Sequence, residues 1–299
     1  MGGAIGFANP GPTLGFGLHV NGSASFFAIG EYRDGTEINR IVDEVETLLA
    51  IENPTIDDID GDLITAIATD DPSSEGQIVG LAVSEIGVSL ARQFELGGTP
   101  LQVGITPKYQ EIRTFYYLAN FESFERDDFD EAEQETSDSG FNIDLGVATQ
   151  FGETRALTVG LMARNLIGRE VDTVQALNSR GNRQSLVFEL EPSFTLGVSY
   201  DPGSYTLTAD LDLTETKATA FEGDHQMIAL GGEVDLGHWV QLRGGVRHNL
   251  ASNPQSEDID DPTLFTAGLG FTPGAFYLDV SGGISDKQYA ASLEMGLVY

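Results

Sequence analysis

The stretch Tyr289-Ala290-Ala291-Ser292-Leu293-Glu294-Met295-Gly296-Leu297-Val298-Tyr299 decides the fold. Its odd-numbered residues are Tyr, Ala, Leu, Met, Leu and Tyr; its even-numbered residues are Ala, Ser, Glu, Gly and Val. In an extended chain successive side chains point to opposite faces, so one face is greasy and the other small or polar. A helix would need apolar residues three and four apart, and this stretch does not supply them. The same alternation recurs upstream. Phe141, Ile143, Leu145 and Val147 oppose Asn142, Asp144, Gly146 and Ala148; Leu157, Val159, Leu161 and Ala163 oppose Thr158, Gly160, Met162 and Arg164. Comparable segments surround Phe194–Tyr200, Leu207–Leu213 and Val240–Val246.

The connectors alternate as well. Tight turns are expected at Leu96-Gly97-Gly98, Gly152-Glu153-Thr154, Asp201-Pro202-Gly203, Leu236-Gly237-His238 and Thr272-Pro273-Gly274, with longer polar connectors between them. Short turns on one side and long loops on the other are the layout of an up-and-down outer-membrane barrel. Asn21-Gly22, between two apolar runs, signals a further hairpin. Counting back from Tyr299 predicts about fourteen antiparallel strands, or about twelve if the glycine-rich start lies outside the wall. Residues 33–78 break the pattern. Ile38, Ile41, Val42, Val45, Leu48 and Leu49 have helical spacing, which predicts a partly helical insertion within a single barrel domain spanning 1–299.

Composition narrows the class. The 299 residues contain no cysteine, which excludes a disulfide scaffold and thiol chemistry. Fifteen basic against forty-seven acidic residues give a net charge of −32, a poor match for the phosphate backbone of a nucleic acid. No run reaches the roughly 18 apolar residues of a membrane-spanning helix, a test that strands escape. Residues 43–75 hold eleven acids and no base, 120–139 nine acids and one arginine, and 250–262 four acids and no base. Together these connectors carry −23 of the −32, as solvated loops on one rim.

Alternation fits either a soluble β protein with its greasy face inside or a barrel with that face toward lipid. The polar face favours the barrel. It carries Asp144, Arg164, Asp210, Asp212, Glu233, Arg243, Arg247, Asp279 and Glu294 mid-strand, a mixture that a wet or ion-paired lumen tolerates. Aromatic residues collect near strand ends, where a membrane-interface girdle is expected: Tyr109, Phe151, Tyr200, Trp239, Phe271 and Tyr299, with Tyr116 counted among them. The inward face offers little apolar surface beyond Met162 and Val298.

Catalytic signals are weak. The four histidines, His19, His225, His238 and His248, share no metal-ligand spacing, and the glycines form no nucleotide-binding loop or nucleophile elbow. Asp58, Asp60 and Asp62 have the composition of a calcium loop, but Gly61 comes too early and no Glu closes the twelfth position. The expectation is a non-enzyme without cofactor.

Longer runs carry a resemblance. Val83-Ser84-Glu85-Ile86-Gly87-Val88-Ser89-Leu90-Ala91-Arg92, Val103–Gln110, Val159–Leu166, Arg243–Leu250 and the ending Ala290–Tyr299 resemble the conjugal-transfer TraF-type outer-membrane proteins over residues 80–299. That family is related in fold to long-chain fatty-acid transporter barrels. The resemblance implies a bacterial outer-membrane barrel in contact with the lipid bilayer and lipopolysaccharide. The chain lacks the family's leader and usual start, which implies a processed or trimmed form.

Two functions follow as expectations: a passive or ligand-gated channel or transporter with a small-molecule ligand in the lumen, or a docking component with an envelope protein partner. Far-UV circular dichroism of the detergent-solubilised protein should be strand-dominated, and unboiled protein should run faster than boiled protein on a denaturing gel. A helix-rich monomer stable without detergent would contradict the barrel.

Overall fold

The computed structural model describes residues 2–11, 14–31, 75–120, 135–177, 183–216, 224–237, 239–251, 263–286 and 289–297. The alternating segments are strands. The first six are β1 (Gly2–Asn9), β2 (Leu14–Glu31), β3 (Glu75–Leu96), β4 (Thr99–Asn120), β5 (Glu135–Phe151) and β6 (Leu157–Arg164). Four short ones follow: β7 (Arg169–Asp172), β8 (Ala176–Leu177), β9 (Arg183–Gln184) and β10 (Val187–Leu190). The rest are β11 (Ser193–Tyr200), β12 (Tyr205–Asp212), β13 (Met227–Asp235), β14 (Val240–Asn249), β15 (Thr263–Phe271), β16 (Phe276–Ile284) and β17 (Tyr289–Leu297).

Thirteen strands form one antiparallel sheet in the order β1 to β6, then β11 to β17. Each pairs with the next, the up-and-down arrangement that alternation and short turns demand. The remaining four form a nested pair of ladders, β7 with β10 and β8 with β9, in the connection between β6 and β11. The two edge strands, β1 and β17, share no ladder among the described residues. They nevertheless come together, because one cavity of about 710 Å³ is lined by Gly6 and Ala8 of β1 and by Tyr277 and Leu297 of β16 and β17. The sheet therefore curls back on itself as a barrel.

Register fixes which residues share a face. Gly6, His19, Gly87, Lys108 and Asn142 lie side by side across β1–β5. Further round, Gly160, Gly197, Asp210, Ala229 and Arg247 form a second row on the same face. The alternate residues point outward and are exposed, among them Leu297 at 73%, Leu293 at 62%, Phe265 at 59% and Leu269 at 57%. Among the described residues the buried apolar side chains are only Val79, Ile112, Tyr116, Val171 and Phe188. A water-soluble sheet buries its greasy face. This one presents it to the outside, as a lipid-facing wall does.

The belt has the height of a bilayer. From the Thr99 turn to Tyr109 is ten residues; at about 3.3 Å each and a tilt of about 40°, they rise about 25 Å. The five expected tight turns close one end, with Gly97, Gly152, Gly203, Gly237 and Gly274 at φ of 61°, 87°, 100°, 86° and 72°. That left-handed region is open to glycine without steric penalty.

Several expectations change. Asn21-Gly22 is not a hairpin: both residues lie mid-strand in β2, opposite Glu85 and Ser84 of β3. The reversal falls instead after Asn9, at Pro10-Gly11, where proline cannot continue the ladder. The thirteen strands of this sheet among the described residues match the expected barrel of about fourteen, and reading β2 as two strands accounts for the difference of one. Residues 75–78 and 135–139, assigned to the insertion and to a loop, are paired strand in β3 and β5. The helical part of the insertion, and Asp58, Asp60 and Asp62, lie outside the described residues.

Glycine tolerance should vary sharply with site. A Cβ on Gly11 would meet the Leu14 carbonyl oxygen at 2.3 Å, whereas one on Gly146 meets nothing within 4 Å. Gly11→Ala should therefore destabilise the detergent-solubilised barrel by about 1–3 kcal/mol. Gly146→Ala should leave its unfolding midpoint unchanged.

Candidate functional site

The inner face of β3 and β4 changes character along its length. Below Tyr109, β4 turns Val103, Ile105 and Tyr109 outward, and Gln102, Thr106, Lys108 and Gln110 inward. Above it the order reverses: Glu111 and Arg113 face out as an ion pair at 2.8 Å, and Ile112 and Tyr116 are buried inside. Tyr116 is fully buried, so it is no part of an outer girdle.

What covers these residues is the β6–β11 connection. Its Val171 and Phe188 pack with Val79, Ile112 and Tyr116, and Leu81, Val83, Val174, Leu186 and Leu190 border the cluster. An apolar patch thus exists on the inward face, contrary to the expectation of little beyond Met162 and Val298. Here both faces of β3 and β4 are rich in apolar residues, which blurs the alternation that identifies an inward face.

Beneath the apolar cluster lies a buried polar layer. Lys108 Nζ contacts Asp144 Oδ2 at 2.8 Å and Glu85 Oε2 at 3.1 Å. Gln110 Nε2 donates to Glu85 Oε2 at 2.9 Å and to Asn165 Oδ1 at 3.1 Å. Asn142 is fully buried; its Nδ2 donates to Gln110 Oε1 at 2.9 Å and to the Ile167 carbonyl at 3.0 Å, while its Oδ1 accepts from the Ile167 N–H. The Asn165 N–H donates to Asp144 Oδ1 at 2.8 Å, with Asn165 at a φ of 51°. Asn21 Nδ2 donates to Glu85 Oε1 at 2.7 Å, and His19 Nε2 stands 3.7 Å from the same oxygen. The start of the connection is thereby fastened to the inside of β4 and β5. Further along the same inward face of β5, Arg169 Nη2 meets Asp138 Oδ2 at 2.5 Å.

Below this layer opens a chamber of about 570 Å³, walled by β4–β6, β11 and β12. Met162, Arg164, Thr195, Thr208 and Asp210 line it beside Gly146, Gly160 and Gly197. A second charged group forms on β13–β17. Arg243 bonds Glu233 through Nε and Asp279 through Nη1 at 2.5 Å, and Tyr277 Oη donates to Glu294 at 3.0 Å. Asp212 accepts from Thr195 Oγ1 at 2.8 Å and from the Met227 N–H at 3.0 Å.

The register thus places all nine polar residues named from the sequence on one face. The tertiary structure divides them among the Lys108 layer (Asp144), the chamber (Arg164, Asp210, with Asp212 beside it), the Arg243 cluster (Glu233, Asp279, with Glu294 nearby) and Arg247. Sequence reading missed Lys108, Glu85, Gln110 and Asn142 as a unit. Their only signal was polarity at alternating positions on consecutive strands. Tyr109, Phe151, Tyr200, Trp239 and Phe271 are all exposed near the limits of the outer apolar face, and Tyr109 packs edge-on to Phe141 at 5.4 Å. Tyr299 and His238 lie outside the described residues, which contain no cluster of metal-ligating side chains.

An antiparallel strand barrel with an apolar outer belt and a loop folded into its polar interior defines a bacterial outer-membrane β-barrel protein. The chain belongs to the family described as "F plasmid transfer operon, TraF, protein", whose model matches residues 1–212, from β1 through β12. The match includes the first eighty residues, which the quoted motifs had left out. No curated protein matches. Among solved structures, the toluene transporter TbuX of Ralstonia pickettii is similar at a TM-score of 0.58 and 11% identity, over 99% of this chain and 81% of that one. The toluene transporter TodX of Pseudomonas putida is similar at 0.54 and 12% identity, over 98% and 80%. At such identity the likeness is one of fold.

The buried lysine supplies a test. Removing one partner of a buried ionic group leaves the other charges uncompensated, at a cost of about 3–5 kcal/mol. Lys108→Met should lower the urea midpoint of the barrel accordingly. Adding Glu85→Gln and Asp144→Asn should recover much of the loss.

Proposed function

We propose that the protein is an outer-membrane channel or transporter for small molecules, whose passage is governed by the β7–β10 connection folded into the lumen. One observation carries this reading. The connection packs over the inner faces of β3–β5 through Val171, Phe188 and the Asn142–Ile167 hydrogen bonds, and leaves a chamber below it. A barrel built only to stand in the membrane needs no such internal element. The chamber lies in the range of about 300–1,000 Å³ typical of small-ligand sites. Its walls of glycine, alanine and Met162 with a few polar groups suit a solute with an apolar body.

The fold likeness to toluene transporters supports transport as the class of activity. Aromatic residues at both limits of the belt serve as interface anchors in this reading, with the tight turns periplasmic and the acidic loops outside, toward lipopolysaccharide. The inward acids Glu85, Asp144, Asp210, Asp212, Glu233, Asp279 and Glu294 outnumber Lys108, Arg164, Arg243 and Arg247, which favours cations in a wet lumen. The reading assigns the chain no catalytic step. The family description suggests a role in conjugation as an envelope docking component, which is the alternative.

Planar-bilayer recordings distinguish the two. The protein should give small, cation-preferring conductance steps, and replacing Arg169–Leu190 with a short Gly-Ser linker should enlarge them severalfold while the boiled–unboiled gel shift persists. A silent bilayer for both forms, with an envelope protein co-purifying, would favour docking.

A further inference from the structure

Charges on the inner face differ in how they are satisfied. Lys108 is held by Glu85 and Asp144, and Arg243 by Glu233 and Asp279. The side chains of the two charged residues lining the chamber, Arg164 and Asp210, enter neither an ion pair nor a hydrogen bond among the described residues. Arg247, level with Asp210 two strands on, does not line the chamber. An unpaired cation and an unpaired anion, both solvent-accessible, therefore face the same open cavity.

Their separation is set by register. Gly160, Gly197 and Asp210 lie in one row across β6, β11 and β12, and Arg164 stands four residues further along β6. With about 3.3 Å per residue and about 4.8 Å between strands, the two Cα atoms lie about 16 Å apart. Their side chains cannot close that gap onto each other as they close onto partners elsewhere in the lumen. Between them the wall is Gly160, Gly197, Thr195 and Met162, and a Cβ on Gly197 would lie 2.7 Å from Asp210 Oδ1. The carboxylate thus rests against bare backbone, and the space beyond stays open.

We infer that the chamber binds a small, extended zwitterion, with its carboxylate at Arg164, its ammonium at Asp210 and its apolar chain along Met162 and the glycines. This rests on the channel reading and names its solute class. A guanidinium grips a carboxylate through paired hydrogen bonds, and a carboxylate accepts from an ammonium. A neutral hydrocarbon would leave both charges unmet. A simple fatty acid would meet Arg164 but leave Asp210 without a partner. An α-amino acid carries its charges too close together to span the two groups.

Binding to the folded, detergent-solubilised protein is the test, read by calorimetry and independent of conductance. ε-Aminocaproate should bind more tightly than caproate, hexylamine, glycine or toluene. Arg164→Gln and Asp210→Asn should each weaken ε-aminocaproate about tenfold or more, as expected for losing one charge-assisted contact. Arg164→Gln should spare hexylamine and Asp210→Asn should spare caproate, a crossed pattern that misfolding cannot produce. The gel shift and strand dichroism verify that both variants fold. Equal affinity for caproate or toluene, no binding of ε-aminocaproate, or indifference to both substitutions would overturn the assignment. Conductance without zwitterion binding would leave the channel standing and remove only this ligand.

Discussion

Inside a bilayer a backbone amide has no water to bond, so every N–H and C=O that crosses must find its partner within the protein. That constraint organises the whole chain. Strands satisfy it only through neighbours on both sides, so the segments must pair continuously around a curled sheet. Once the wall is paired, the pleat leaves each residue one choice, lipid or lumen. Leu293, Leu269 and Phe265 can lie exposed because the bilayer is their solvent.

Where β3 and β4 leave the apolar belt, the solvent changes and the faces exchange roles. Glu111 and Arg113 turn toward water, and Val79, Ile112 and Tyr116 turn inward. An inward apolar surface in a wet barrel would be unfavourable unless covered, and Val171 and Phe188 cover it. The loop is thus held by two kinds of force. Hydrophobic burial fixes its position near the mouth, and the Asn142, Gln110 and Asn165 hydrogen bonds fix its starting direction. The lumen and its loop form one packed unit at this level, with open space below.

Charges inside the barrel fall into two populations for the same reason. A cation flanked by acids on neighbouring strands, such as Lys108 or Arg243, ties those strands together. Charges such as Arg164 and Asp210, held apart by register, remain available to a solute. Composition sees only their sum.

The strands, the tight turns and the two faces are legible in the amino-acid order, because period two is a local property of neighbouring side chains. Ala290–Leu297 reads as a lipid-facing strand without knowledge of any partner, and Gly203 or Gly274 marks a reversal through its own backbone freedom. Asn21-Gly22 shows the limit: the dipeptide permits a turn, but pairing with Glu85 and Ser84 on β3 keeps it extended. Tertiary contacts alone fold Val171 and Phe188 inward, make Tyr116 core, and bring Glu85, Lys108 and Asp144 together. Those facts depend on which strands adjoin and at what register, and on a connection that packs against strands far away in sequence. No local period encodes such contacts.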